Sequence, residues 1–156
     1  MITAVIRFFQ EMKKSFLLHA VAAHFSNGLI PVAVLYLSLF LLSGDLSMGS
    51  TVLHLLFIVI LFIPVSFFSG IREWKIKYKG APTPVFRKKI RLSLLLFMLS
   101  VASVTLGLSV PDILIQQGPL HWIDLFVLFM MLPVVVLLGH YGGKLSAGQR
   151  AASARK

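Results

Sequence analysis

His19, His24, His54, His121 and His140 are the residues of this 156-residue chain best able to do chemistry. There is no cysteine. Disulfides, covalent c-type haem attachment, thiolate-held iron–sulfur clusters and a cysteine nucleophile are therefore excluded within the chain. Neutral imidazole can still ligate iron. On a helix, His24, Asn27, Gly28 and Pro31 fall at i, i+3, i+4 and i+7 and form one stripe. His19 lies about 140° round from His24 at 3.6 residues per turn. Near the other end of the chain, Gly139 and Gly143 flank His140 with G-x-x-x-G spacing, and Gly142 lies beside them. Glycines around a histidine leave room for a flat group to reach the backbone.

A b-type haem matches these residue types. Its iron takes imidazoles from two helices, its ring needs small neighbours, and its propionates favour basic side chains. The expected axial pair is His24 with His140, with His19 in reserve and Lys144 and Arg91 near the propionates. A second haem, between His54 and His121, is the weaker expectation. His121 and His140 stand about 28 Å apart along one helix, so a single haem cannot use both. A quinone is expected beside the first haem, among Asn27, Lys14 and Lys144. The competing structural role of each histidine is that of a residue at a helix end, bonded to backbone or lipid headgroups. Asp124, one turn after His121, either orients that imidazole, relays protons or sits at the membrane edge.

The elements that must position these residues are membrane spans. Apolar residues make up 58% of the chain and charged residues only 13%, whereas charge near a quarter is usual for a soluble domain. Apolar runs at roughly 15–42, 51–70, 92–110 and 121–141 each approach or exceed the ~20 residues needed to cross a bilayer as a helix. All fifteen Lys and Arg residues fall before the first run, between the second and third, or from Lys144 onward. The connectors at 43–50 and 111–120 carry Asp45 and Asp112 and no positive charge. This alternation follows the positive-inside rule and places both termini and the middle loop in the cytoplasm. The expected fold is all-α, a single four-helix transmembrane bundle over residues 1–156. Ala20-Val21-Ala22 mimics a signal-peptidase site, but too few apolar residues precede it, and the first run is expected to be a retained span.

Within the expected third helix, Ser93, Ser100 and Gly107 recur every seven residues with Ser103 nearby, a small-residue packing face. Pro31, Pro64 and Pro133 lie inside spans, which membrane helices tolerate. Gly80-Ala81-Pro82-Thr83-Pro84 breaks the chain before Arg87–Arg91 restarts it. The net charge of +10 sits beside the spans and suits anionic lipid headgroups, so nucleic acid is not an expected partner.

His19-Ala20-Val21-Ala22-Ala23-His24-Phe25 reads H-x4-H-F, and Gly139-His140-Tyr141-Gly142-Gly143-Lys144-Leu145 reads G-H-x-G-G-K-L. Together these motifs resemble an uncharacterised family of small four-helix bacterial membrane proteins. That family opens its first helix with H-P-x-x-V-H-F-P, where this chain has Ala20, Ala23 and Ser26 at the two proline positions and the valine. The resemblance implies a multi-pass protein of the bacterial inner membrane and brings His19, His24 and His140 forward together.

The expected function is a haem b subunit carrying electrons between the quinone pool and a partner redox protein. The alternative is a non-catalytic anchor or accessory subunit of a larger membrane complex. No paired carboxylates, nucleophile elbow, phosphate loop or H-E-x-x-H motif is present, and only Asp124 among five acidic residues lies in a span, which argues against stand-alone hydrolysis.

Overall fold

The computed structural model describes residues 5–6, 10–11, 17–81, 83–110 and 112–153. Four long helices follow one another: α1 (Leu17–Ser43), α2 (Leu46–Lys77), α3 (Pro84–Ser109) and α4 (Pro119–Ser153). Each is long and apolar enough to cross a membrane. The shortest membrane-crossing segments have 26 residues, about 39 Å of helix against a hydrocarbon core of about 30 Å. Each helix is therefore long enough to reach headgroup level at both ends.

The helices run past the apolar spans read from sequence. The second begins at Leu46 rather than 51 and ends at Lys77 rather than 70; the third begins at Pro84 rather than 92. Transfer energy delimits a span, whereas capping delimits a helix. Asp45 caps α2 by accepting from the Ser47 N–H at 2.9 Å. Gly44, at φ +71, supplies the left-handed residue that closes α1, and its N–H reaches the Phe40 carbonyl at 2.8 Å. Two residues thus suffice to reverse the chain. Between α2 and α3, Lys79 and Gly80 both take positive φ. Thr83 then caps α3 and Pro84 occupies its first turn. Trp74 clamps this connector, stacking on Phe86 at 4.4 Å between ring centroids and donating through Nε1 to the Ala81 carbonyl.

α1 packs on α2 and α4, and α3 packs on α2 and α4, while the backbones of diagonal helices make no close approach among the described residues. The bundle is a four-membered up-down-up-down ring. Its terminal end gathers the starts of α1 and α3 with the ends of α2 and α4; its far end gathers the opposite termini. The core is one column of apolar side chains at helical spacing, including Ile30, Ala33 and Leu37 of α1, Leu56 and Val59 of α2, and Leu128 and Met131 of α4. Ser100 and Ser103 are buried in α3, and Gly107 packs against Leu53, so the small-residue stripe does face the bundle interior. Pro31, Pro64 and Pro133 all lie within continuous helix.

The exterior is equally apolar. Leu35, Leu61, Phe68, Met98, Phe126 and Val136 are all exposed. So large an apolar surface cannot face water, and lipid is the solvent that suits it.

Candidate functional site

At the terminal end residues of all four helices line a cavity of about 650 Å³. Towards the terminal end its lining carries His19, Ser66, Glu73, Lys77 and Lys89; nearer the bundle centre it carries Ile63, Leu96, Val135 and Leu138, with Asn27 about 12 Å further along α1 than His19. A molecule with a polar head and an apolar body matches that division.

His19 is the most constrained of these side chains. Its Nδ1 donates to the Ser66 carbonyl at 2.9 Å, since a carbonyl can only accept. The Ser69 hydroxyl, 3.4 Å from the same nitrogen, is itself turned to the Val65 and Ser66 carbonyls. In the neutral ring this leaves the Nε2 lone pair facing the Lys89 ammonium, 3.5 Å away. Gly70 makes the arrangement sterically feasible, because a Cβ there would stand 2.8 Å from His19 Cε1. On the opposite side, Lys89 Nζ lies 3.9 Å from where a Cβ on Gly142 would be. His19 and Lys89 therefore link α1, α2 and α3 at this level, and Lys89 Nζ approaches α4 at Gly142.

Glu73 and Lys77 form an i, i+4 ion pair at 2.6 Å on the cavity rim. Tyr78 closes the rim by donating from its hydroxyl to the Leu145 carbonyl at 3.4 Å. Burial pushes the Tyr78 phenol above its ordinary value, with the Glu73 carboxylate adding to the effect.

The residues expected from sequence are divided by this geometry. His19, His24, Asn27, Gly139 and Gly143 line the cavity. A Cβ on Gly139 or Gly143 would meet nothing within 4 Å, so these glycines widen the cavity rather than seat a neighbouring helix. His140 lies outside the lining, exposed, with its ring edge-on to Tyr141 at 5.4 Å, and Lys88 sits over the Tyr141 ring. Lys144 and Arg91 are exposed and also outside the lining. Lys14 lies outside the described residues. His24 and His140 thus do not face one shared cavity, as a haem held between them requires.

At the far end, His121 is buried and its Nδ1 donates to the Ile113 carbonyl at 2.8 Å, which pins the 112–116 turns onto α4. His54 is exposed on α2. Neither lines the cavity found at that end. Among the described residues, no group of three or more His, Asp or Glu side chains is placed to hold a metal ion.

Sequence reasoning missed Lys89, Ser66, Gly70 and Glu73. A signal was present. Lys89 stands one helical turn before Ser93 and extends the small-residue stripe of α3, and Ser66, Gly70, Glu73 and Lys77 follow i, i+4, i+7, i+11 on α2. These are polar or small stripes in otherwise apolar helices.

The fold and site define a class: a multi-pass membrane four-helix bundle with a polar cavity at one end and an apolar exterior. No protein-family model matches the chain, and neither does any curated protein or solved structure.

Proposed function

We propose that this protein is a multi-pass membrane subunit that binds a quinone-class carrier in the terminal-end cavity and passes its electrons to a partner redox protein. The observation that carries this reading is the His19–Lys89 pair, 3.5 Å apart on the polar wall of a cavity whose deeper wall is apolar. Lys89 is a donor for a quinone carbonyl. His19 Nε2 is an acceptor for a quinol hydroxyl and can take its proton as electrons leave. One pair of side chains thereby suits both redox states of the ligand. The isoprenoid tail would follow the apolar wall towards lipid.

The test is quantitative extraction of quinone from protein purified in mild detergent, with rebinding of a short-chain quinone. Wild type is expected to retain and rebind it. Lys89→Met and His19→Ala are expected to lose at least about tenfold in affinity, the scale of one charge-assisted hydrogen bond. Quinone-free wild type that fails to rebind rejects the reading.

A b-type haem in the same cavity is the second reading, and His19 favours it. An imidazole anchored through Nδ1 to a backbone carbonyl is held as metal-bound imidazoles usually are. When bound, haem would supply one-electron chemistry, with His19 or His24 as the available ligands and Lys89 near the propionates. The geometry offers it no partner on α4, since His140 stands outside the cavity. A reduced-minus-oxidised spectrum separates the two readings. A chain that carries neither pigment nor quinone, yet co-purifies with a complex, is the anchor or accessory subunit.

A further inference from the structure

The far end of the bundle contains a feature that the terminal-end site does not use. Asp124, in the first turns of α4, is only 3% exposed, yet it lines a cavity of about 240 Å³. Ser103 of α3 lines the same cavity. The Oδ1 atom is buried with no hydrogen-bond partner among the described residues. A buried carboxylate oxygen without a donor is costly, and native structures rarely leave one so. The rest of the lining is mainly apolar, including Phe40, Leu53, Leu56, Leu114 and Leu128.

The charge around this cavity has one sign. No lysine or arginine occurs between Lys14 and Arg72, or between Arg91 and Lys144. The far end therefore carries Asp45, Asp112 and Asp124 with no lysine or arginine from any of the four helices or the two connectors that meet there; its two histidines, His54 and His121, stand outside the cavity lining, His121 one helical turn before Asp124. Asp124 is the one carboxylate among the lining residues, and a carboxylate in a low-dielectric cleft attracts cations and repels anions. Oδ1 can only accept when ionised, so the missing partner must be a donor. A mainly apolar chamber with one carboxylate and the Ser50 and Ser103 hydroxyls in its lining selects a small apolar body bearing a cationic N–H group.

We propose that the far-end cavity is a binding site for a primary ammonium group carried on a small apolar body, with Asp124 as its counter-ion and the Ser103 hydroxyl as a second polar group in the lining. The ammonium donates to Oδ1, and the apolar part packs on Leu53, Leu56 and Leu128. An ammonium can come from a soluble amine or from the headgroup of an aminophospholipid. The experiment distinguishes the two.

Benzylamine is titrated into the full chain in maltoside micelles, with benzyl alcohol as the neutral analogue, and binding is read by ligand-observed NMR and thermal stabilisation. Benzylamine is expected to saturate and to bind at least about tenfold tighter than benzyl alcohol. Asp124→Asn keeps the side-chain volume and is expected to abolish that preference. Leu114→Trp fills the chamber from the connector, keeps the carboxylate, and is expected to abolish binding even if Asp124→Asn fails to fold. Nanodiscs of pure phosphatidylcholine, or with added phosphatidylethanolamine, supply the second arm. If phosphatidylethanolamine competes with benzylamine, the lipid headgroup is the source; if it does not, a soluble amine is. Equal binding of amine and alcohol, no saturation by ~10 mM, or an unchanged preference in Asp124→Asn overturns the proposal and leaves water as the partner of Oδ1.

Discussion

The imidazole of His19 occupies space that any side chain on Gly70 would need: a Cβ at Gly70 would lie 2.8 Å from Cε1 and 3.1 Å from Nδ1. Real Cβ atoms do not approach so closely, and His19 is held there by the Ser66 carbonyl. Glycine at one helix therefore sets the rotamer of a histidine on the next, and through it the position of Nε2 against Lys89.

Gly70→Ala is expected to push the His19 ring off the Ser66 carbonyl and lower stability by about 1–3 kcal/mol, the usual cost of overpacking. Thermal unfolding in detergent checks the stability. Ligand retention should fall in parallel with His19→Ala. Gly143→Ala, where a Cβ meets nothing, is the matched control and is expected to unfold like wild type.

Any chromophore or quinone that the protein carries is expected to respond to His19→Ala and His24→Ala and to be indifferent to His140→Ala. His140 is exposed and faces Tyr141 rather than the cavity. Absorption spectra of the three purified variants check this. Loss of signal in His140→Ala alone would mean that the terminal-end site is assembled differently.

At the far end, His121→Ala is expected to lower stability by roughly 1–3 kcal/mol, because it leaves the buried Ile113 carbonyl without its donor. It should also expose the 112–116 turns to protease. His54→Ala, at an exposed position on α2, is expected to stay within about 0.5 kcal/mol of wild type. Paired unfolding curves and limited proteolysis decide it.

Acid should weaken the first connector. Hydrogen bonds from the Ser47 side chain and backbone N–H hold the exposed Asp45 carboxyl below its ordinary value. The cap therefore contributes its full stability above the unfolded-state value of about 3.9, and loses it as pH falls through the lower folded value. Wild type is expected to be more stable than Asp45→Ala at neutral pH and to converge with it in acid. Unfolding midpoints of both proteins across pH 2–7 (about this range, set by carboxylate titration) measure the difference.

Much of the architecture is legible in the sequence. The four spans, the even number of crossings and the break around Gly80-Ala81-Pro82-Thr83-Pro84 follow from composition and charge order, and all reappear as helices and connectors. Helix ends were less legible: α3 takes in Arg87–Arg91 because Thr83 and Pro84 cap it, whatever the hydropathy of its first turns. On α1, His19, His24 and Asn27 were all identified and all reach the cavity. On α4, the glycines reach it and the histidine between them does not.

That last division shows where sequence stops. In water, the buried face of a helix announces itself, because apolar side chains turn inward and polar ones outward. Here both the bundle centre and the lipid are apolar, so periodicity separates the faces only weakly and the rotation of each helix is set by packing. The sequence by itself determined how many helices cross, which ends meet and which residues share a level. Tertiary structure alone decided that His19 lies on Gly70 facing Lys89, that His140 turns away, and that Asp124 is buried with an oxygen to spare. Each of those outcomes depends on contacts between helices that no single helix encodes.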